Sequence, residues 1–353
     1  MLENILAQFE LPQDEYEINP YGNGHINSTF TAQGKRRRYI VQKINRAVFP
    51  DVRALMRNIG AVCRYIFDYT KESGGDTGKC LMPVKAVTGE DFAEQDGEFW
   101  RVYNFIENTV TVDMPLSAEH FGEGGGCFAR FAKILSGFPA DSLTDVIPGF
   151  HDTPMRLEAL GRAAEKDAFG RLRLSEELYE FALRREKAAD IIKKGTAAGD
   201  IPVRVTHNDT KFNNLLLDAV TKKPVAVIDL DTVMKGSALY DFGDAIRTGC
   251  NSAPEDERDT DKVAFRKDYY DAFERAYDEV TAGEFTEAEQ KLKGFSAMLM
   301  TYECGVRFLT DYLEGDVYFR THYDKQNYYR ARTQFALVDR MEKFFGKMED
   351  YAR

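Results

Sequence analysis

The chain lacks paired cysteines: Cys63, Cys80, Cys127, Cys250 and Cys304 are scattered, odd in number and form no C-x-x-C pair. That excludes a disulfide framework or a thiolate zinc site as the organising device. Positive charge is also short, with 47 Lys and Arg against 58 Asp and Glu and a formal net charge of −11. Nucleic acid and anionic membrane therefore have no basic face to meet, and any phosphate must be held locally. There is no apolar run of about 18 residues, so no membrane-spanning helix is expected. The opening Met-Leu-Glu-Asn-Ile-Leu carries an early acid and no basic region, so no secretion signal is expected either. Repeats and low-complexity blocks are missing too. What remains is a globular chain of 353 residues, 43% apolar and 30% charged, expected in a reducing cytoplasm and long enough for two lobes.

The texture changes along the chain. Short apolar segments broken by Gly, Asn and Asp predict an antiparallel sheet with strands at 16–18, 28–32, 38–43, 82–86 and 99–103, the last entered through a turn at Asp96 and Gly97. One helix interrupts it. Pro50 and Asp51 give its start, and apolar residues recur at helical spacing to about Tyr69. Beyond 104–108 the segments become long and amphipathic, predicting helices over 127–135, 175–194, 262–282 and 287–313, with a flexible bend at 122–126. Two apolar strands, 214–217 and 225–229, flank a turn at 221–224 and predict a hairpin embedded among these helices. The expected fold class is α+β, with a small lobe over 1–106 and a larger, mainly helical lobe over 107–353 around one cleft.

His207-Asn208-Asp209-Thr210-Lys211-Phe212-Asn213-Asn214 enters the first hairpin strand in the form H-x-D-x-K-x-x-N. Phosphoryl transfer needs a carboxylate near the attacking hydroxyl, a cation near the transferred group and hard oxygen ligands for magnesium; Asp209, Lys211 and Asn214 could supply these in turn. The second hairpin strand ends in Asp229-Leu230-Asp231, which makes Asp229 a metal ligand and Asp231 either a second ligand or a helper. A literal Asp241-Phe242-Gly243 follows no apolar strand and opens a helix, so Asp241 either braces the catalytic loop from behind or caps that helix.

On the nucleotide side, Gly22-Asn23-Gly24-His25-Ile26-Asn27-Ser28-Thr29 is a Gly-x-Gly turn leading into a strand. Such glycines let backbone N–H groups approach phosphate oxygens, and Gly22, Gly24, His25, Asn27 and Thr29 are the candidates. Lys43, in the next strand, is either the lysine set against the α- and β-phosphates or a surface strand lysine. The helix after it has no mid-helix Glu to pair with it. The segment 104–107 is either the hinge, with the backbone of Asn104 and Ile106 toward the adenine edge, or a plain buried strand.

Taken in order, these motifs resemble the aminoglycoside phosphotransferase and choline kinase superfamily, over nearly the whole chain. The resemblance implies a protein-kinase-like fold, ATP as co-substrate, magnesium, and a small-molecule acceptor. Three runs, 207–214, 228–234 and 307–316, are similar to those of the N-acetylhexosamine 1-kinases. That implies phosphorylation of the anomeric hydroxyl of N-acetylglucosamine or N-acetylgalactosamine, with Asp209 taking its proton and Arg307 touching the sugar. Asp311 is a further candidate for a substrate contact, but Arg307 and Asp311 also stand at i,i+4, where a solvated ion pair is the plain alternative. His151-Asp152-Thr153-Pro154 either lines the acceptor pocket or caps a helix.

Overall fold

The computed structural model describes residues 2–22 and 26–352. In chain order its elements are α1 Leu2–Leu6, β1 Glu17–Pro20, β2 Ser28–Gln33, β3 Arg38–Lys43, α2 Val52–Glu72, β4 Ala93–Gln95, β5 Glu98–Asn104, β6 Thr109–Val110 and α3 Ala118–Ile134. There follow α4 Thr153–Lys166, α5 Glu176–Arg184, α6 Ile191–Ala198, β7 Arg204–Thr206, β8 Leu215–Asp218, β9 Pro224–Val227, β10 Met234–Gly236, α7 Ala238–Gly249, α8 Lys267–Thr281, α9 Glu287–Leu313 and α10 Gln326–Phe345. The α+β class is as expected: an N-terminal antiparallel sheet, then mainly helices. No described helix is long and apolar enough to cross a membrane.

Two compact units emerge. The first comprises Met1–Thr111, Phe131–Pro148 and Asn214–Lys235, the second Val112–Arg130, Gly149–Asn213 and Gly236–Arg353. The hairpin thus joins the unit of the sheet, whereas the sequence placed it in a helical lobe starting at 107. Its ties explain this: Asn58 of α2 donates to Val233 and Thr144 carbonyls at 3.0 and 2.8 Å, and Arg101 of β5 holds Asp231.

In the first unit the five-stranded antiparallel sheet runs β1-β2-β3-β5-β4. Strand alternation sets its two faces. Ala32, Tyr39, Val41, Trp100 and Val102 point to one face and form a core with Ile5, Leu6 and Phe9. Asp96 and Gly97 turn β4 into β5 with φ of 55° and 76°, the positive pair a tight hairpin requires. The predicted strand at 82–86 is not a full strand. Asn104 N–H donates to the Met82 carbonyl and Val84 N–H to the Val102 carbonyl around a single bridge between Pro83 and Tyr103, and beyond it the chain leaves β5, Ala86 bridging Phe9 instead. Asp51 caps α2 by accepting from Ala54 N–H at 2.8 Å. A second sheet, β6-β8-β9, contains the hairpin with a bulge between Leu216 and Leu217.

In the second unit α9 occupies its predicted 287–313 span, and α10 and α4 lie alongside it. The bend expected at 122–126 is instead inside α3. A Cβ on Gly122 would stand 2.9 Å from the Ala272 carbonyl oxygen, so the glycines serve a close approach to α8. The helix predicted over 175–194 is broken between α5 and α6.

Candidate active site

The catalytic loop leaves β7 and is held by one carboxylate. Asp241, on the first turn of α7, accepts from the His207 and Asn208 amides at 2.8 and 2.7 Å, and its carbonyl accepts from the Thr210 hydroxyl at 2.5 Å. The Asp-Phe-Gly triplet therefore braces the loop, and Ser237 is the residue that caps α7. Asn208 takes φ of +64°, a conformation Asn tolerates, and Asp209 N–H donates to His207 Nδ1 at 3.2 Å. Lys211 Nζ lies 3.0 Å from Asp209 Oδ1. Burial opposes the charge on Asp209, but Lys211, by proximity and hydrogen bond, and His207 hold its carboxyl below the usual range. Asp209, in return, raises the Lys211 ammonium. The loop thus presents an ionised carboxylate beside a firmly protonated amine.

The hairpin carries the oxygen donors. Ile228 N–H donates to the Asn214 carbonyl at 2.9 Å, so β8 and β9 bring Asn214 within one residue of Asp229 across the pair. Asp229 sits at φ 61°, ψ 57°. This left-handed region costs most non-glycine residues roughly 1–2 kcal/mol, and Asp and Asn are among the few that adopt it readily. Asn214 and Asp229 fit magnesium, which takes few protein ligands and completes its octahedron with phosphate oxygens and water.

Asp231 is placed differently. Its carboxylate lies against the Arg101 guanidinium, at 2.5 Å from Nη1 and 2.9 Å from Nη2, and also accepts from Asn27 Nδ2 at 2.6 Å. Of the two roles open to it, ligand or helper, these partners favour the helper. Lys43 requires a correction. It shares the parity of Tyr39 and Val41, stands across from Trp100 and pairs with Glu98 at 2.8 Å, so it lies on the sheet face opposite Asp231. The face toward Asp231 carries Gln42 and, across from it, Arg101.

Of the other nucleotide candidates, Gly24 and His25 lie outside the described residues. Gly22 has φ +71° and nothing near its missing Cβ. Thr29 Oγ1 accepts from Gln42 at 3.0 Å, and Asn27 Oδ1 accepts the Asn45 amide at 3.0 Å. The Asn104 side chain pins the hinge to the Met82 amide and Cys80 carbonyl at 2.6 and 3.0 Å, and its own N–H donates to the Met82 carbonyl at 3.1 Å. The Ile106 carbonyl accepts from Thr109 Oγ1 at 2.6 Å.

A second polar cluster lies in the helical unit. Glu303 of α9 is buried and accepts from His151 Nδ1 at 2.9 Å and Thr153 Oγ1 at 2.6 Å. Burial opposes its ionisation, but His151 and these hydrogen bonds hold its carboxyl below the usual range. An ionised carboxylate only accepts, so His151 Nδ1 is the donor, and the buried Nε2 has no partner among the described residues. The His151 ring lies 5.2 Å from that of Tyr240, next to the loop brace Asp241. Arg307, one turn beyond Glu303, is surrounded by the rings of Phe150, Tyr318 and Phe319 at 5.5, 5.9 and 5.5 Å. Burial and then Arg307 push the neighbouring Arg156 guanidinium down. Asp311 makes no ion pair with Arg307. Its buried carboxylate accepts from the Val317, Tyr318 and Phe319 amides at 2.9, 2.7 and 2.9 Å and from Asn327 at 2.8 Å, fixing the loop that carries the rings. Asp311 is thus an anchor for that loop, and the expected contact with substrate falls away. Asp152, not Thr153, caps α4, through Met155 N–H at 3.2 Å.

An Asp-Lys pair on a loop and a hairpin tipped with oxygen donors are among the groups that phosphoryl transfer calls for. The profile of the phosphotransferase enzyme family matches residues 17–282. The chain belongs to that family, the aminoglycoside phosphotransferase and choline kinase-like group of small-molecule kinases that act on an alcohol. Among solved structures it is similar to an aminoglycoside phosphotransferase from Alicyclobacillus acidocaldarius, at 13% identity over 99% of this chain and 96% of that one, with a TM-score of 0.61. A choline kinase from Cryptosporidium parvum matches at 17% identity over 95% and 91%, TM-score 0.59. An ethanolamine kinase from Plasmodium vivax matches at 13% over 90% and 82%, TM-score 0.56. At these identities the likeness establishes the kinase-like fold.

Proposed function

We propose that this chain transfers the γ-phosphate of ATP to the anomeric hydroxyl of an N-acetylhexosamine, giving the sugar 1-phosphate and ADP. The observation that carries the acceptor class is the charge of the His151, Glu303, Arg307 cluster. Choline, ethanolamine and aminoglycosides are cations and call for unspent carboxylates or an open aromatic cage. Here the one buried carboxylate is already spent on His151 and Thr153, two guanidiniums, Arg156 and Arg307, stand beside it, and the rings are occupied by Arg307. Such a cluster suits a neutral, polyhydroxylated acceptor with a carbonyl for Arg307 and a hydroxyl for His151 Nε2.

In the reaction Asp209 accepts the acceptor hydroxyl proton as that oxygen forms its bond to the γ-phosphorus and the bond to the β-phosphate oxygen breaks. An anomeric hydroxyl is more acidic than an ordinary alcohol, so a carboxylate of low pKa suffices. Lys211 keeps Asp209 ionised and offers its charge to the transferred group. Magnesium, when held by Asn214 and Asp229, neutralises phosphate charge.

The decisive experiment is a panel of acceptors with ATP and magnesium, the phosphate position being read by phosphorus NMR. A 1-phosphate of N-acetylglucosamine or N-acetylgalactosamine supports the proposal. Phosphocholine, phosphohomoserine or a phosphorylated aminoglycoside as the sole product overturns it, and absence of ADP release with every acceptor points to a silent nucleotide-binding protein. On the same reading His151→Ala should raise the acceptor KM roughly tenfold and leave the KM for ATP unchanged, since it removes one hydrogen-bonding group.

A further inference from the structure

Arg101 is a buried charge that the scheme above leaves unused. Its side chain is 1% exposed, in the middle of β5 on the face toward Asp231. Nε donates to Gln42 Oε1 at 2.9 Å, Nη2 donates to one oxygen of Asp231 at 2.9 Å, and Nη1 stands 2.5 Å from the other as an ion pair. The oxygen that takes Nη2 also takes Asn27 Nδ2 at 2.6 Å. Asn27 follows the glycine turn, and Asn45 holds that segment from the other side by binding the Ile26 carbonyl at 3.2 Å. Three parts of the first unit, the entry of β2 at Asn27, the sheet and the hairpin tip, therefore meet at one carboxylate.

A buried ion pair is weak evidence for stability, because apolar residues of similar volume often do as well. Arginine differs from a strand lysine in having a planar fork that can fix a carboxylate with two nitrogens and still donate a third bond. Lys43, one residue from Gln42, cannot serve here because it lies on the opposite face.

We propose that Arg101 and Asp231 form a latch that ties Asn27, just before β2, to the hairpin tip, and so hold the entry of β2 and the Asn214–Asp229 hairpin in the register that the phosphates of ATP require. Arg101 is thereby a positioning residue for the nucleotide, in the place where a strand lysine was expected. The inference rests on the kinase reading above. It assigns Asp231 to the latch and leaves magnesium to Asn214 and Asp229.

Asn27→Ala cuts the latch without leaving a buried charge unpaired. Its ADP affinity, measured by calorimetry, should fall roughly tenfold, the weight of one charge-assisted hydrogen bond. The loss should be the same in magnesium and in EDTA, with the acceptor KM and the melting temperature little changed. Arg101→Lys, which keeps the charge and loses the fork, should lose nucleotide affinity in the same direction. Because Arg101→Met alone leaves Asp231 unpaired and is liable to unfold, the paired change Arg101→Met with Asp231→Leu is the folding control, and it too should bind ADP weakly. If the wild-type chain binds no ADP, the kinase reading fails. If the wild type binds ADP and Asn27→Ala and the folded paired variant bind it equally well, the latch alone is overturned.

Discussion

Asp209→Asn is expected to lower kcat by roughly 10²–10⁴-fold, the span of a lost general base, with little change in the KM for ATP. The loop should survive the change, because Asp241 braces its backbone through the His207 and Asn208 amides and the Thr210 hydroxyl. Steady-state kinetics with saturating acceptor tests this, and retained turnover would remove Asp209 from the reaction. The pH profile adds an independent check. Since Lys211 and His207 hold the Asp209 carboxyl below its usual range, the base is ionised at neutral pH and activity is lost only as pH falls through that lowered value. The accompanying stability has the same sign: present above the unfolded aspartate pKa and lost as pH falls through the folded one. An acid limb in kcat above about pH 5, well over the ordinary aspartate value, would contradict the assignment.

The parts of the site borne on one continuous segment were legible in the sequence. The loop 207–214 and the tip 229–231 are contiguous runs, and the hairpin between them follows from two apolar strands and a turn. The bracing by Asp241 could also be reasoned, since an acid at the start of a helix has backbone amides as its natural partners. Lys43 was misplaced although the signal was available: Tyr39 and Val41 mark the core face by alternation, so Lys43 shares their parity and Gln42 takes the other face. The strand expected at 82–86 failed for a different reason, because its partners are split: Pro83 bridges Tyr103 while Ala86 bridges Phe9, near the start of the chain.

What was not legible depends on partners distant in the chain. Arg101 alternates with Trp100 and Val102, and a sequence cannot tell a charge on a solvated strand face from one sealed against Asp231, 130 residues away. Glu303 looks like one polar residue in an amphipathic helix; only the return of His151, 152 residues distant, makes it the centre of a cluster. The spacing of Arg307 and Asp311 suggested an ion pair, yet three amides of 317–319 satisfy the aspartate more fully than one guanidinium would.

For Asp229→Ala the expected result is loss of the magnesium-dependent part of nucleotide binding and a fall in kcat of at least roughly hundredfold, since a bound metal stabilises transferred charge by several kcal/mol. Calorimetry of ADP with magnesium and with EDTA should give one affinity for the variant and two for the wild type. An unchanged magnesium dependence would place the metal elsewhere. Backbone strain offers a way to separate ligation from folding at this residue. At φ 61° and ψ 57° aspartate is tolerated, alanine is disfavoured and glycine is at ease. Asp229→Gly should therefore melt no lower than Asp229→Ala while losing the same metal dependence, and Asp229→Asn, which tolerates the conformation and keeps an oxygen but no charge, should fall between alanine and wild type in magnesium affinity. If activity followed melting temperature across the three substitutions, the conformation would be what matters at this position; if it followed the oxygen donor, Asp229 is a ligand. The second outcome is expected, because the hairpin sets Asp229 beside Asn214, while the other acid of the tip, Asp231, is committed to Arg101, and magnesium favours a charged oxygen donor.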